Sequence, residues 1–286
     1  MSRIPPGRPF TLITNMKTSL PHPKEIETKK MKITTWNVNG YRAVLKKGFR
    51  NWFENDLADV VCLQEIKSRQ DQLEPSDWNF DGYQSLWNSA EKLGYSGVAA
   101  FVREPPLEIG FGLGDSEFDG EGRVIWLQYP DFRLFNVYFP SGQRGMGRVE
   151  FKLRFYSRLL EICDRLHAQG QNVILCGDFN TAHTEIDLAN ARSNQNTSGF
   201  LPEEREMVSE YLRHGLVDIY RQLYPQKIEY TWWTYITKAR ERNVGWRLDY
   251  FMVSEALIDR VERVDIQGGV LGSDHCPVSL EIKCCA

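Results

Sequence analysis

The residues best suited to chemistry lie near the C-terminus, in Gly272-Ser273-Asp274-His275-Cys276-Pro277. An acid beside a histidine can hold a metal ion and pass a proton at one point. Alone, that pair fits a zinc site, a catalytic triad or a surface turn equally. Three further segments add weight: Trp36-Asn37-Val38-Asn39-Gly40, Leu63-Gln64-Glu65 and Gly177-Asp178-Phe179-Asn180, each closely following a run of strand-forming residues. Together they read as one active site assembled from strand ends.

Asp178 and Asn180 stand two residues apart, and in extended chain such side chains point the same way. A carboxylate and an amide so placed can hold a water between them, one taking its proton and the other steadying the developing charge. Gly, Asp and Asn also favour ordinary turns, so the segment alone leaves both readings open. Glu65 closes Val60-Val61-Cys62-Leu63, and Asn37 closes the strand containing Trp36. Hard oxygen donors from separate strand ends suit Mg²⁺. Taken singly, Glu65 is a helix-start acid and Asn37 a turn residue. Asp249 sits among apolar neighbours in Arg247-Leu248-Asp249-Tyr250-Phe251, and a buried aspartate needs a partner. His275 would be oriented and kept charged by it; an ion pair with Arg247 is the alternative.

Strand-like runs that could position these groups fall near 31–38, 58–63, 96–102, 123–129, 133–139, 172–176, 247–253 and 278–282. Helical periodicity is clearest from Val149 to Gln169, where Phe151, Phe155, Leu159, Ile162 and Leu166 recur every three or four residues before Gly170. Further helices fit 44–55 and 202–213. The turn at Tyr129-Pro130-Asp131-Phe132 points to antiparallel pairing, and the unbroken apolar run Val173-Ile174-Leu175-Cys176 to a sheet covered on both faces. The expected fold is a four-layered α/β sandwich, two mostly antiparallel sheets packed face to face with helices outside. It would form a single domain over 31–286. Residues 1–30 carry five prolines and no apolar signal core, which reads as a flexible extension, with Met31 as an alternative start.

The chain of 286 residues is 42% hydrophobic, enough for a sizeable core. Its net charge of -3 gives no global basic signal, so contact with nucleic acid must rest on a local basic and aromatic face. None of the six cysteines has CxxC spacing, which argues for reduced thiols in an intracellular protein over zinc or disulfides. No apolar stretch reaches the roughly 20 residues of a membrane span.

Eight segments in order carry a family resemblance: WNVNG at 36–40, LQEIK at 63–67, GYSGV at 94–98, VYFPSG at 137–142, GDFNTAHTEIDL at 177–188, GFLPEERE at 199–206, NVGWRLDYF at 243–251 and GSDHCP at 272–277. Over nearly all of 31–283 the chain resembles the exonuclease III family of apurinic/apyrimidinic endonucleases, with their deoxyribonuclease I-like fold. The resemblance implies a divalent-metal phosphodiesterase that cuts duplex DNA 5′ of abasic sites, leaving a 3′ hydroxyl and a 5′ deoxyribose phosphate. Activities of relatives extend to 3′-5′ exonuclease, 3′-phosphodiesterase and damaged-base incision. By position, Glu65 is the principal metal ligand, within a set also drawn from Asn37, Asp178, Asn180, Asp274 and His275. Asp178 and Asn180 handle the attacking water, Tyr138 contacts the phosphate, and His275 backed by Asp249 polarises it. Trp232, Trp246 and Leu248 form the wall of a pocket for a flipped abasic sugar. At least one of Trp232 and Trp233 must be core. Tyr95, Asn194, Asn196, Arg144, Arg148 and Arg240 are candidate DNA-backbone contacts. At Ser141 the family commonly has a longer amide near the scissile phosphate, and the glycine-rich 142–147 loop that follows is unusual.

The implied cofactor is Mg²⁺, with Mn²⁺ as a substitute. The implied partner is double-stranded DNA bearing abasic or other lesions, bound by a monomer. The expected location is intracellular: cytoplasm or nucleoid in a prokaryote, nucleus in a eukaryote. Two rivals make different demands on the sequence. A superfamily phosphatase would lack GFLPEERE and NVGWRLDYF, and a non-catalytic DNA-binding module would have lost Glu65, Asp178, Asn180 or His275.

Overall fold

The computed structural model describes residues 28–285. Twelve strands run β1 (Thr28–Asn37), β2 (Val60–Gln64), β3 (Gln84–Asn88), β4 (Val98–Val102), β5 (Glu108–Phe111), β6 (Val124–Gln128), β7 (Arg133–Tyr138), β8 (Val173–Asp178), β9 (Leu216–Asp218), β10 (Asp249–Ser254), β11 (Val261–Ile266) and β12 (Val278–Cys285). The α-helices are α1 (Tyr41–Leu45), α2 (Phe49–Asp56), α3 (Pro75–Trp78), α4 (Ser116–Asp119), α5 (Met146–Ala168), α6 (Pro202–Arg213) and α7 (Ile219–Leu223).

The strands form two six-stranded sheets, ordered β11-β12-β1-β2-β4-β3 and β5-β6-β7-β8-β10-β9. Each sheet has one parallel pair at its centre, β1 with β2 and β7 with β8, and is otherwise antiparallel. Adding six to each strand number of the first sheet, modulo twelve, reproduces the order of the second.

Period-two alternation explains the layers. Ile33, Val60, Cys62, Ile174, Cys176, Phe251 and Val253 face the space between the sheets and share one core. The intervening Val173, Leu175, Tyr250 and Met252 face outward onto Phe155, Leu159 and Cys163 of α5 and Val208 and Tyr211 of α6. On the opposite side Trp36, Val61, Leu63 and Phe101 pack under Tyr41, Val44, Phe49 and Phe53. Burying one such large side chain contributes about 1.5–3 kcal/mol, so both faces of both sheets are committed to packing. The four-layered sandwich is as expected from the sequence.

Three local expectations need correction. Strand β1 begins at Thr28, so Thr28, Lys29 and Lys30 pair with Cys285, Cys284 and Lys283 instead of belonging to an extension; the rest of that segment lies outside the described residues. The helix expected over 44–55 is two helices, because Gly48 adopts a left-handed φ of 94° between them. Strands β3, β5, β9 and β11 were not expected, and all four are sheet edges. An edge strand pairs on one side only and carries a weaker apolar pattern.

Candidate active site

The two parallel pairs place the C-terminal ends of β1, β2, β7 and β8 at one rim of the sandwich, where antiparallel β10 and β12 begin. Asn37, Tyr138, Asp178 and Asp249 occupy the last or first strand positions there, and all four keep the inward parity of the inter-sheet core. They therefore line the mouth of the space between the sheets. Asp178 pairs in register with both Tyr138 and Asp249. Glu65, just beyond β2, has a left-handed φ of 55° that ends the strand's alternation. Gly177 is required by close approach of the neighbouring strand: a Cβ there would sit 2.0 Å from the Val137 carbonyl oxygen of β7.

Asn37 ties the halves of the site together. Its Nδ2 donates to Glu65 Oε2 at 3.0 Å and to Asp178 Oδ2 at 2.8 Å. Its Oδ1 accepts from the Asn39 backbone N–H at 2.9 Å, which fixes the amide with its nitrogen toward the carboxylates. The structure thus places Asn37 as a bridge between the two acids. Asn180, at a left-handed φ of 50°, donates through Nδ2 to the Phe139 carbonyl at 2.9 Å and to Asp178 Oδ2 at 3.2 Å.

His275 Nδ1 lies 2.8 Å from Asp249 Oδ2, and its Nε2 lies 3.9 Å from Asp178 Oδ2. Arg247 is engaged elsewhere, with Asp187 and Asp218 at 2.8 and 2.6 Å, so Asp249 belongs to the histidine. Burial pulls the His275 pKa down, yet the adjacent Asp249 and Asp178 charges outweigh it and hold the imidazole up, at about 10. Burial, reinforced by the charge of Asp249, pushes Asp178 up to about 7 against the pull of His275. The Tyr138 hydroxyl is pushed well above its ordinary value by burial and by the Glu65 carboxylate it faces.

Asp274 points away from that pair. Its Oδ1 accepts from Asn39 Nδ2 at 2.9 Å and its Oδ2 from Trp232 Nε1 at 3.1 Å. Burial would raise its pKa, but His275 and these two donors keep it low. Lys67 Nζ bridges Glu65 Oε1 at 2.8 Å and Asn39 Oδ1 at 2.6 Å. Asn39 and Lys67 were not singled out as site residues, although both lie inside the quoted motifs.

A cleft of about 750 Å³ opens over these groups and brings together Glu65, Tyr138, Asp178, Asn180, Asp274 and His275. Its floor carries three carboxylates, Glu65, Asp178 and Asp274, of which Asp178 is buried and the other two half-buried, a donor set suited to a hard divalent cation. Asp178, Asp249 and His275 also bring ligand atoms within 4.8 Å of one another. That trio is a poorer cation site, because Asp249 is spent on His275 and lies behind it.

At one end of the cleft Trp232 and Trp246 meet edge to face, with centroids 6.3 Å apart, beside Leu248 and Phe200. Trp233 is the core member of its pair, buried among Tyr230, Ala239 and Cys276. Tyr95, Ser141, Arg144, Arg148 and Asn194 line the other parts of the cleft. Arg144 lies over the Tyr95 ring at 5.6 Å, whereas Arg148 is paired with Glu121 at 2.9 Å. Exposed Asn196 is not among the lining residues. Arg240 stacks on Trp233 and donates to the carbonyls of Gly268, Val270 and Ser273, which makes it a loop brace.

The model of the endonuclease/exonuclease/phosphatase family matches residues 34–275, a span that takes in Asn37, Glu65, Asp178, Asp274 and His275. The chain belongs to that family. It is 44% identical to the exodeoxyribonuclease of Bacillus subtilis (strain 168), over 88% of this chain and 100% of that protein. It is 42% identical to the DNA repair nuclease APEX1 of Danio rerio, over 90% of this chain and 84% of that protein. Among solved structures, the AP endonuclease LMAP from Leishmania major superposes with a TM-score of 0.80 at 34% identity, covering 89% of this chain and 88% of that one. The 3′ phosphatase NExo from Neisseria, solved with a product DNA hairpin, gives 0.81 at 29% identity, covering 88% and 99%. These findings bear out the resemblance and the fold. As a family nuclease the chain is metal-dependent. Cys62, Cys163, Cys176 and Cys276 are buried free thiols, and among the described residues no helix is long and apolar enough to cross a membrane.

Proposed function

We propose that this protein is a DNA repair phosphodiesterase that incises duplex DNA on the 5′ side of abasic sites, leaving a 3′ hydroxyl and a 5′ deoxyribose phosphate. One observation carries the reading. Acid and amide groups from the two sheets converge on a cleft whose adjoining wall is Trp232, Trp246 and Leu248. The first feature suits phosphodiester hydrolysis, and the second suits a small sugar without a base.

Glu65, Asp178 and Asp274 would hold Mg²⁺, and Mn²⁺ would substitute. A bound divalent ion supplies Lewis-acid stabilisation of phosphate charge. Asn37 keeps Glu65 and Asp178 at a fixed separation. Asp178 accepts the proton of the attacking water while Asn180 steadies that water's position. His275, charged and oriented by Asp249, donates toward a non-bridging phosphate oxygen, and the Tyr138 hydroxyl, kept protonated by its surroundings, donates to the same phosphate. Tyr95, Arg144 and Asn194 contact the DNA backbone along the rim.

The names of the exodeoxyribonuclease and 3′ phosphatase relatives support trimming of 3′ nucleotides and 3′ blocking groups by the same machinery. A phosphatase of small soluble esters would not use the tryptophan wall. The enzyme would act as a monomer on double-stranded DNA inside the cell, in the cytoplasm or nucleoid of a prokaryote or the nucleus of a eukaryote. The decisive test compares duplexes bearing a tetrahydrofuran lesion, uracil, a recessed 3′ end or no lesion. Incision 5′ of the tetrahydrofuran, abolished by a chelator and restored by Mg²⁺, is expected; no incision with Mg²⁺ overturns the proposal.

A further inference from the structure

Helix α5 turns a regular apolar face inward, with Val149, Phe155, Leu159 and Cys163 buried in sequence, and Lys152 sits in the middle of it. Its side chain and that of Glu204 on α6 are both fully buried, and their ends are 2.8 Å apart. Buried ion pairs contribute little net stability, and apolar residues of similar size often replace them without loss. The position of this pair is therefore informative.

Lys152 Nζ donates to the backbone carbonyl of Asn180 at 2.7 Å. Glu204 accepts from Ser198 Oγ at 2.9 Å and from the backbone N–H groups of Gly199 and Leu201. Gly199 is held where a Cβ would meet the Asn180 carbonyl at 3.2 Å and the Trp246 ring at 3.3 Å. A continuous chain of contacts thus joins the pocket wall, the 198–201 loop and the left-handed peptide of Asn180.

We infer that Lys152 and Glu204 are positioning residues, a buried charged clamp that fixes the Asn180 amide for hydrolysis and locks it to the loop behind Trp246. The inference rests on the proposed role of Asn180 with the attacking water. Neither residue reaches the cleft, so the clamp acts through Asn180 and leaves DNA affinity alone.

The test measures single-turnover cleavage of a tetrahydrofuran duplex at saturating Mg²⁺, with DNA affinity in parallel. The variants are Lys152→Met, Lys152→Arg, the apolar double variant Lys152→Met/Glu204→Leu, and Asn180→Ala with and without Lys152→Met. Loss of the clamp is expected to slow cleavage about 10- to 100-fold, the scale of a displacement near 1 Å, with affinity unchanged and Lys152→Arg the mildest. In the Asn180→Ala background Lys152→Met is expected to cost less than about threefold more, since coupled residues are not additive. The double variant keeps the experiment interpretable if Lys152→Met does not fold. A folded double variant that cleaves at the wild-type rate, or losses that multiply across the two backgrounds, overturns the inference. NMR of the Asn180 side-chain amide, without DNA or metal, separates the two proposals. Shifted, faster-exchanging signals in the double variant support the clamp even if the wild type fails to incise, and unchanged signals refute it whatever the wild type does.

Discussion

At the scale of single residues, the adjacent Asp274 and His275 turn to different neighbours. Asp274 turns to Asn39 and Trp232, and His275 to Asp249 and Asp178. Asp178→Ala is expected to keep DNA affinity within a few-fold and to lower single-turnover cleavage by about 10⁴-fold, the scale seen when a central catalytic group is removed; equal loss of binding would mean a folding defect. His275→Asn takes a positive charge from 3.9 Å beside Asp178. That charge lowers the Asp178 pKa, so its removal raises it, and the base form appears only at higher pH. The rate should fall by about 10²–10⁴-fold, and the rising limb of the pH–rate profile should move alkaline; an unmoved limb would contradict a charged His275. The Asp249–His275 partnership was legible in the sequence, since a buried aspartate in an apolar strand demands a donor. The direction of the Asn37 amide was not, because the Asn39 backbone N–H decides it.

At the scale of elements, the signal followed burial. Strand β8 is buried throughout and apolar from Val173 to Cys176, and α6 spans 202–213 as expected. Strand β9 is three residues long, and β5 contains Gly110, kept free of a side chain by the Trp126 ring against it. Neither has a pattern readable without its neighbour. The Lys152–Glu204 contact spans 52 residues and was visible only as a charge on the wrong face of a helix. A second buried cluster ties a 3-10 turn ending at Asp187 to the ends of β9 and the entry to β10: Arg247 bridges Asp187 and Asp218, and Arg221 also reaches Asp187. Burial alone would raise the Asp187 pKa, but these two guanidinium groups hold it well below the usual carboxylate range. A depressed folded pKa means stability that is full above the unfolded value, about pH 4, and lost as pH falls below it. Asp187→Asn should therefore cost about 3 kcal/mol near neutrality, as expected for a broken buried pair. Thermal melts should show the gap between wild type and variant steady down to about pH 4 and narrowing progressively below it. A constant gap would show that the carboxylate charge is not what matters.

At the scale of the whole molecule, the site is bipartite. Asn37 and Glu65 come from one sheet, and Tyr138 and Asp178 from the matching ends of the other, so any shear between the sheets would pull these groups apart. Beneath the site Gln64 Nε2 donates to Asn136 Oδ1 at 2.7 Å, and Asn136 Nδ2 to the Ala99 carbonyl at 2.8 Å, pinning the layers against such sliding. The shift-by-six strand order has a topological consequence. In the β5–β10 sheet, β6 and β7 are joined by the Tyr129–Phe132 turn; in the other, their counterparts β12 and β1 are neighbours with no connection, and Thr28 lies opposite Cys285. The order of strands is thus a closed ring, cut at one of two equivalent hairpins. Linking 285 to 28 by a short turn and opening the backbone between Pro130 and Asp131 moves the cut to the other. Such a circular permutant should melt cooperatively and keep lesion cleavage within about tenfold, the cost of displacements well under 1 Å, because the ring, and not the point where it is opened, sets the site.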